Sequence, residues 1–513
     1  MNGADALIET LAACGVTACF ANPGTSEMQF VSALDRHPAM RPVLCLFEGV
    51  ATGAADGFGR MAGTPACTLL HLGPGYGNGL ANLHNARRAF TPIVNIIGDH
   101  ATYHRRHDAP LSSDIAAIAG ANSVWVRSAE TADAVGPLAA EAVAASLAPP
   151  GGAASLILPA DCAWGTTEVI GKRVAPAGKA QVDSATLEEA ARRIRAAAKA
   201  VFLLGSGACG DHGLAAAGRL AASGRRVLTD TFIARQGRGA GRFAPDRMMY
   251  FGEMALADLA GVDLMVLVET VQPVAFFAYP QRPSVLVPDG CEVVTLAARG
   301  EDGAAALGAL ADLLGAPGEP AVQSPNLPDA PSGPLTPAAA GAAIARHLPE
   351  GAIVSDDSVT SGQPILNLTR GAAPHDWLGL TGGAIGQGIP VAVGAAVASP
   401  GRKVVSLNGD GAALYTVQGL WTAARENLDV TVVVFANNIY RILGIELGRT
   451  GAGNPGPAAS RLLSLADPAI DWGSLAKGLG VGAARCDTAE AFEAAFARAM
   501  AQPGPHLIEA AIG

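Results

Sequence analysis

The strongest constraint on this chain is a repeated alternation. Short apolar runs that end in polar or glycine residues are separated by longer segments of helical periodicity. In the first third these runs are ACFAN (18–22), RPVLCLF (41–47), ACTLLHL (66–72), TPIVNIIGD (91–99) and ASLILPAD (154–161). In the middle they are AVFLLGSGA (200–208), RRVLTDT (225–231), VDLMVLVET (262–270) and SVLVPD (284–289). In the last third they are GAIVSDD (351–357), KVVSLNGD (403–410), VTVVVFANN (430–438) and PHLIEAAI (505–512). Strand followed by helix, many times over, builds mostly parallel sheets with helices on both faces. Two stretches interrupt the pattern: VIGKRVAPAGKAQVD (169–183), and a Pro- and Ser-rich segment over 315–337. The expected architecture is three consecutive open, mostly parallel, doubly wound α/β domains over 1–170, 180–318 and 336–513.

A length of 513 residues fits three domains of about 150 residues each. Half the residues are apolar and 16% are charged, so large cores are expected. The net charge of −10 argues against a nucleic-acid partner, which calls for a basic face. The cysteines form no CxxC pair, so neither a zinc site nor a redox motif is indicated; they read as small buried hydrophobes in a reducing compartment. The first residues, MNGADALIETLAACGV, read as a helix and not as a secretory leader. No apolar run is long enough to span a membrane. A soluble, cytoplasmic chain without a membrane partner is expected.

Open parallel sheets bind ligands beyond the carboxyl ends of their strands. Four polar signals stand at such ends: Asp410 in VVSLNGDGAALYT (404–416), the pair Asn437–Asn438, Glu48, and the turn Asn22-Pro23-Gly24. One strand–helix–strand unit carries both Asp410 and Asn438 to the same edge. A carboxylate oxygen beside an amide oxygen suits a hard cation such as Mg²⁺, completed by phosphate and water. An Asp-Gly turn with an Asn helix cap is the plainer alternative. The two motifs at this spacing favour the metal.

Gly409-Asp410-Gly411 followed by Asn437-Asn438 resembles the thiamine-diphosphate motif. The order of the three domains is similar to that of the pyruvate-decarboxylase and acetohydroxyacid-synthase superfamily. Within it the benzoylformate decarboxylases are the nearest resemblance, through NPGTSEMQF (22–30) and GLWTAARENL (419–428). By that resemblance Mg²⁺ is held by the side chains of Asp410 and Asn438 and the carbonyl of Tyr440. The cofactor lies against Asn22, Pro23, Gly24, Thr360, Gly383, Ala384, Ile385, Gly409, Gly411, Ala412 and Asn438. Gly411 and Ala412 offer amides to the diphosphate at a helix start, and Ile385 bends the cofactor. Glu48 bonds the pyrimidine ring and begins the proton relay that activates the thiazolium. His71 is the acid/base toward the substrate, Thr25 stands where the family has a substrate-binding serine, and Asn78 also faces substrate.

The resemblance implies a thiamine-diphosphate- and Mg²⁺-dependent, non-oxidative decarboxylase of a 2-keto acid. The remaining acyl fragment is released as an aldehyde or joined to a second carbonyl. An acetolactate-synthase-like carboligase and an acyloin lyase are the alternatives. The family shares its cofactor between two chains, so a homodimer is the minimum and a homotetramer is expected. FAD is not expected.

One departure stands out. The family's second catalytic histidine comes from the central domain, but VETVQPVAFFAYP (268–280) offers Phe277 or Ala278 in its place. Its loss favours carbon–carbon bond formation, or an altered substrate, over simple release of aldehyde. GDHATYHRRHDAP (98–110) sets three histidines and two arginines after a strand, as a surface run or a carboxylate contact. LLGSGACGDHG (203–213) imitates a dinucleotide turn, and an oxidoreductase built on it is the competing class. That reading lacks an acidic residue closing the next strand. A catalytically dead paralogue would have lost Glu48 or Asp410, and both are present.

Overall fold

The computed structural model describes residues 1–512. The first sheet contains β1 (Ala18–Ala21), β2 (Arg41–Leu44), β3 (Ala66–Leu70), β4 (Ile93–Asp99), β5 (Trp125–Ser128) and β6 (Ala153–Pro159). They lie in the order β2-β1-β3-β4-β6-β5, all parallel. Every residue of β3, β4 and β6 is buried, as a sheet covered on both faces requires. The preceding helix, Gly3–Ala13, is started by Asn2, whose side chain and that of Asp5 cap each other's backbone N–H.

The remaining strands are β7 (Ala200–Leu204), β8 (Arg226–Thr229), β9 (Gln236–Arg238), β10 (Asp246–Arg247), β11 (Leu264–Val268), β12 (Glu292–Ala297), β13 (Ala352–Asp357), β14 (His375–Leu378), β15 (Val404–Gly409), β16 (Val430–Ala436), β17 (Gly482–Cys486) and β18 (His506–Ala511). The central sheet runs β10-β8-β7-β11-β12, and the third β17-β18-β16-β15-β13-β14-β9. Only β9 is antiparallel. It leaves the central stretch of sequence to cover the open edge of β14, removing an exposed row of backbone groups. The strand expected over 284–289 does not form: Val285 makes a single bridge to Val274, and the strand on that side of β11 is β12.

The first and third sheets are joined by two helices. Helix Glu48–Ala62 packs along helix Gly388–Ala398, and both belong to one apolar core with Val50, Ala54, Phe58, Val391 and Ala395. The approach is so close that a Cβ on Gly394 would collide with the Ala54 carbonyl oxygen. All eight cysteines are free and all but Cys291 are buried. Among the described residues no helix is long and apolar enough to cross a membrane.

Candidate active site

β13, β15 and β16 are neighbours, so their carboxyl ends deliver Asp357, Asp410 and Asn438 to one edge. Asp410 opens helix Asp410–Leu414 and is 3% exposed. Its Oδ1 accepts the Gly411 N–H at 2.8 Å, and its Oδ2 accepts the Asn438 N–H at 2.6 Å. Burial pushes the carboxyl above its ordinary range, while the N–H groups of Asn438, Gly411 and Asn437 pull it down. Asn438 takes a left-handed turn (φ 56°), and the Tyr440 ring lies over Gly411 where a Cβ would sit. The Tyr440 carbonyl accepts the Leu443 N–H at 3.0 Å, which leaves it a second lone pair. Thr360 stands half-buried in the turn after β13.

This donor set fits a divalent cation. Among the described residues the buried Asp410 carboxylate has no ion-pair partner, and Asn438 and Tyr440, which offer an amide oxygen and a carbonyl, lie in the turn whose backbone it holds. Among the described residues no three His, Cys, Asp or Glu side chains gather as a metal cluster. Phosphate and water oxygens would therefore have to complete the shell, as they do for Mg²⁺. The short helix opening at Asp410 carries Gly411 and Ala412 in its first turn, and the Gly411 N–H is already engaged by Asp410.

The segment Gly379–Gly388 carries Gly383, Ala384 and Ile385, all half-buried. Asp357, 1% exposed, pins its end: Oδ2 accepts the N–H groups of Gly386 (2.7 Å), Gln387 (3.0 Å) and Gly388 (3.2 Å). Burial raises this carboxyl to about 7 against those three donors, and Oδ1 has no partner. Helix Leu72–Ala89 of the first domain holds the rest of the segment. Asn85 bonds both the carbonyl and the N–H of Ala384 (2.8 and 3.2 Å), and Asn82 bridges the carbonyls of Gly49 (2.8 Å) and Gly386 (3.4 Å).

At the first sheet Glu48 begins its helix, 6% exposed. Asn78, expected against substrate, donates to Glu48 Oε2 at 3.0 Å. His71 follows β3, its ring against the Gly24 backbone, and its Nδ1 lies 2.9 Å from Oε2 of Glu27. Glu27 is 1% exposed and also accepts the Gly24 N–H (2.7 Å) and the Ser26 hydroxyl (2.6 Å). Asn22 and Pro23 border this turn, half-buried. Thr25 is exposed, and the hydroxyl that reaches His71 Nδ1, at 3.3 Å, is that of Ser26. Sequence reasoning missed both Glu27 and Ser26. The one available signal was a Glu three residues after Gly24, a spacing that caps a turn.

From the central domain it is Phe276, neither Phe277 nor Ala278, that reaches the segment: a Cβ on Gly383 would stand 2.5 Å from its Cζ. Phe276 stacks edge-on with Phe232 and Phe277. The loop after β4 brings Ser113 against Gly73, next to His71. The rings of its histidines 100, 104 and 107 follow one another at 5.5 Å, tilted by 56° and 51°, while Arg105 pairs with Asp99 at 2.8 Å. The glycine turn 205–210 does have an acidic residue closing the next strand: Asp230 follows β8. That turn is filled from within, because a Cβ on Gly207 would collide with the Glu269 carboxylate, itself paired with Lys179 at 3.0 Å. A dinucleotide phosphate does not fit there.

Comparison with known proteins agrees with this geometry. Residues 1–118 match the thiamine pyrophosphate enzyme N-terminal TPP binding domain, and 362–510 match the C-terminal TPP binding domain. The chain belongs to the thiamine pyrophosphate enzyme family. It is 53% identical, over 100% of its length and 99% of the relative's, to a Mycobacterium tuberculosis protein with the provisional name acetolactate synthase large subunit IlvX. It is 28% identical to benzoylformate decarboxylase of Pseudomonas aeruginosa, covering 98% of this chain and 97% of that one. Its fold is that of the 4-hydroxybenzoylformate decarboxylase of Rhodococcus jostii RHA1 (TM-score 0.87, 24% identity, 100% and 99% covered). Benzoylformate decarboxylase from Polynucleobacter necessarius is similar in fold (TM-score 0.85, 23% identity, 100% and 99% covered). The chain is thus a thiamine-diphosphate enzyme of the decarboxylase and acetolactate synthase type.

Proposed function

We propose that this enzyme, with thiamine diphosphate and Mg²⁺, decarboxylates a 2-keto acid without oxidation and joins the remaining acyl fragment to a second carbonyl. It works in the cytoplasm as a homodimer or homotetramer whose neighbouring chain completes each site. When bound, the thiazolium supplies the electron sink that lets the keto acid lose CO₂.

The chain's own residues do the rest. Asp410, Asn438 and the Tyr440 carbonyl hold the cation, and the start of helix Asp410–Leu414 receives the diphosphate. Gly383, Ala384 and Ile385 take the ring, on a segment fixed by Asp357 and Asn85. Glu48 exchanges a proton with a ring nitrogen, its carboxyl steadied by Asn78. His71, oriented by Glu27, moves protons at the substrate's carbonyl oxygen. Thr25 and the mouth of the site remain for substrate recognition.

The observation that favours ligation is Phe276 against Gly383. In the resembled decarboxylases the central domain brings a second imidazole; the central-domain side chain that meets Gly383 here is an aromatic ring, which cannot deliver a proton to the carbon left by CO₂. The central region's one histidine, His212, lies instead at the start of helix Asp211–Ala222, beside the glycine turn. The IlvX relative's name points the same way. The test is incubation of the holoenzyme with a panel of 2-keto acids, scoring CO₂ release and products by NMR. Acyloins or acetolactate-type products are expected; free aldehyde alone, from every keto acid turned over, would reject ligation.

A further inference from the structure

Arg60 lies in the last turn of the helix that Glu48 begins, and its side chain is 1% exposed. Its guanidinium contacts all three sheet-bearing regions. Nε and Nη2 grip Asp56 bidentately at 2.8 and 2.6 Å. Nη1 donates to the Ala234 carbonyl (3.2 Å), in the central stretch, and to the Gly379 carbonyl (2.7 Å). Nη2 also donates to the Thr381 hydroxyl and to Gln387 Oε1, each at 3.1 Å. Gln387 closes the ring by donating to the Gly379 carbonyl at 3.0 Å. Asp56 is completed by the Thr91 hydroxyl at 2.6 Å.

A buried ion pair is weak evidence of a stabilising role, because apolar residues of the same shape often do as well. The planar fork does something apolar residues cannot. It reaches three points on Gly379–Gln387 from one rigid group, and so sets where that segment lies on helix Glu48–Ala62. Asp357 fixes the end of the same segment through the N–H groups of 386–388. Between these two clamps stand Gly383, Ala384 and Ile385.

We propose that Arg60 is a positioning residue that sets where the 379–387 segment, with the Gly383, Ala384 and Ile385 that would receive the cofactor, lies on helix Glu48–Ala62. This rests on the thiamine-diphosphate reading of the site. The segment's backbone must meet a flat ring, and a small misplacement of a reacting group costs far more rate than stability. Lysine keeps the charge beside Asp56 but has no fork. Thr381→Val removes one arm of the clamp, and with it the bond from the Thr381 hydroxyl to the Asn85 carbonyl at 2.7 Å, while leaving the Asp56 pair untouched.

The test titrates the full-length protein, R60K and T381V with thiamine diphosphate and Mg²⁺ by calorimetry. The kcat, the KM for a 2-keto acid and the thermal midpoint are measured alongside. R60K should raise the cofactor Kd by about 10-fold and lower kcat by at least as much, with KM within about twofold. T381V should move the same two quantities in the same direction by less. A purely structural role would lower the thermal midpoint and leave the cofactor Kd and kcat of the folded protein unchanged, and that result overturns the proposal. If R60K does not fold, T381V decides: a wild-type Kd and kcat reject the positioning role. A wild-type protein that binds no thiamine diphosphate would instead overturn the reading of the site itself.

Discussion

Glu27 Oε2 lies 2.9 Å from His71 Nδ1, at the bottom of a turn where the carboxylate side chain has no exposed surface. A carboxylate can only accept, so Nδ1 carries the proton and Nε2 is left as the nitrogen free for the proton transfer proposed for His71. Glu27→Gln therefore disturbs the tautomer and the tilt of the ring together. Steady-state kinetics should show kcat/KM reduced by about 10²-fold, with cofactor affinity nearly unchanged. His71→Ala combined with Glu27→Gln should cost little more than His71→Ala alone, since the two act as a unit. Additive losses in that cycle would separate them.

Asp410→Ala removes the carboxylate that accepts the Asn438 N–H at the start of the turn carrying Tyr440. Thiamine diphosphate binding should lose its dependence on Mg²⁺, and affinity should fall by about 10²-fold or more. Titration with and without EDTA reads both. Mg²⁺-dependent binding that survives in Asp410→Ala places the cation elsewhere.

Glu48→Gln keeps an oxygen for the Asn78 amide at its present 3.0 Å contact but cannot move a proton. Turnover should drop by about 10² to 10⁴-fold while cofactor binding stays within a few-fold. Asn78→Ala should give a smaller loss of the same kind. Full activity in Glu48→Gln would refute the proton-relay role.

Much of this architecture was readable before any coordinates, for a simple reason. Strands such as 93–99 and 430–436 are buried along their whole length and mostly apolar, with Asn95 and Thr431 as polar exceptions within them, and the residues beyond their ends break the pattern at once. Glu48, Asp410 and Asn438 stand out as candidates because they sit at strand ends and within single strand–helix units. Glu27 does not, because its partner is 44 positions away in the chain and the pairing exists only once β1 and β3 lie side by side. Arg60 was hidden for the same reason, since its acceptors at 234, 379, 381 and 387 are brought in by packing. The crossing of β9 into the third sheet has no local signature at all: Gln236, Gly237 and Arg238 show no strand-forming bias, and the open edge of β14 recruits them.

Phe276→His restores an imidazole at the point where Phe276 meets Gly383. If an absent proton donor is what favours ligation, the variant should shift products toward free aldehyde. The ratio of aldehyde to acyloin, followed by NMR at fixed keto acid concentration, reads this directly. Phe276→Leu is the control, because it opens space without adding an acid. An aldehyde gain shared equally by both variants would trace the effect to volume and not to proton delivery.

Asp357 gives the sharpest pH test. Its carboxyl is raised to about 7 because burial outweighs three N–H donors. A raised carboxyl means the folded protein holds a proton that the unfolded chain has released, so its contribution is complete below about pH 4 and is lost as pH rises through about 7. The linkage amounts to about 4 kcal/mol at most. Asp357→Asn keeps an oxygen for the N–H groups of Gly386, Gln387 and Gly388 and removes the titration. Thermal melts of both proteins between pH 4.5 and 7.5 should show the wild-type midpoint falling relative to the variant as pH rises. Parallel midpoints across that window would mean that Asp357 stays ionised throughout, its charge carried by the three amides alone.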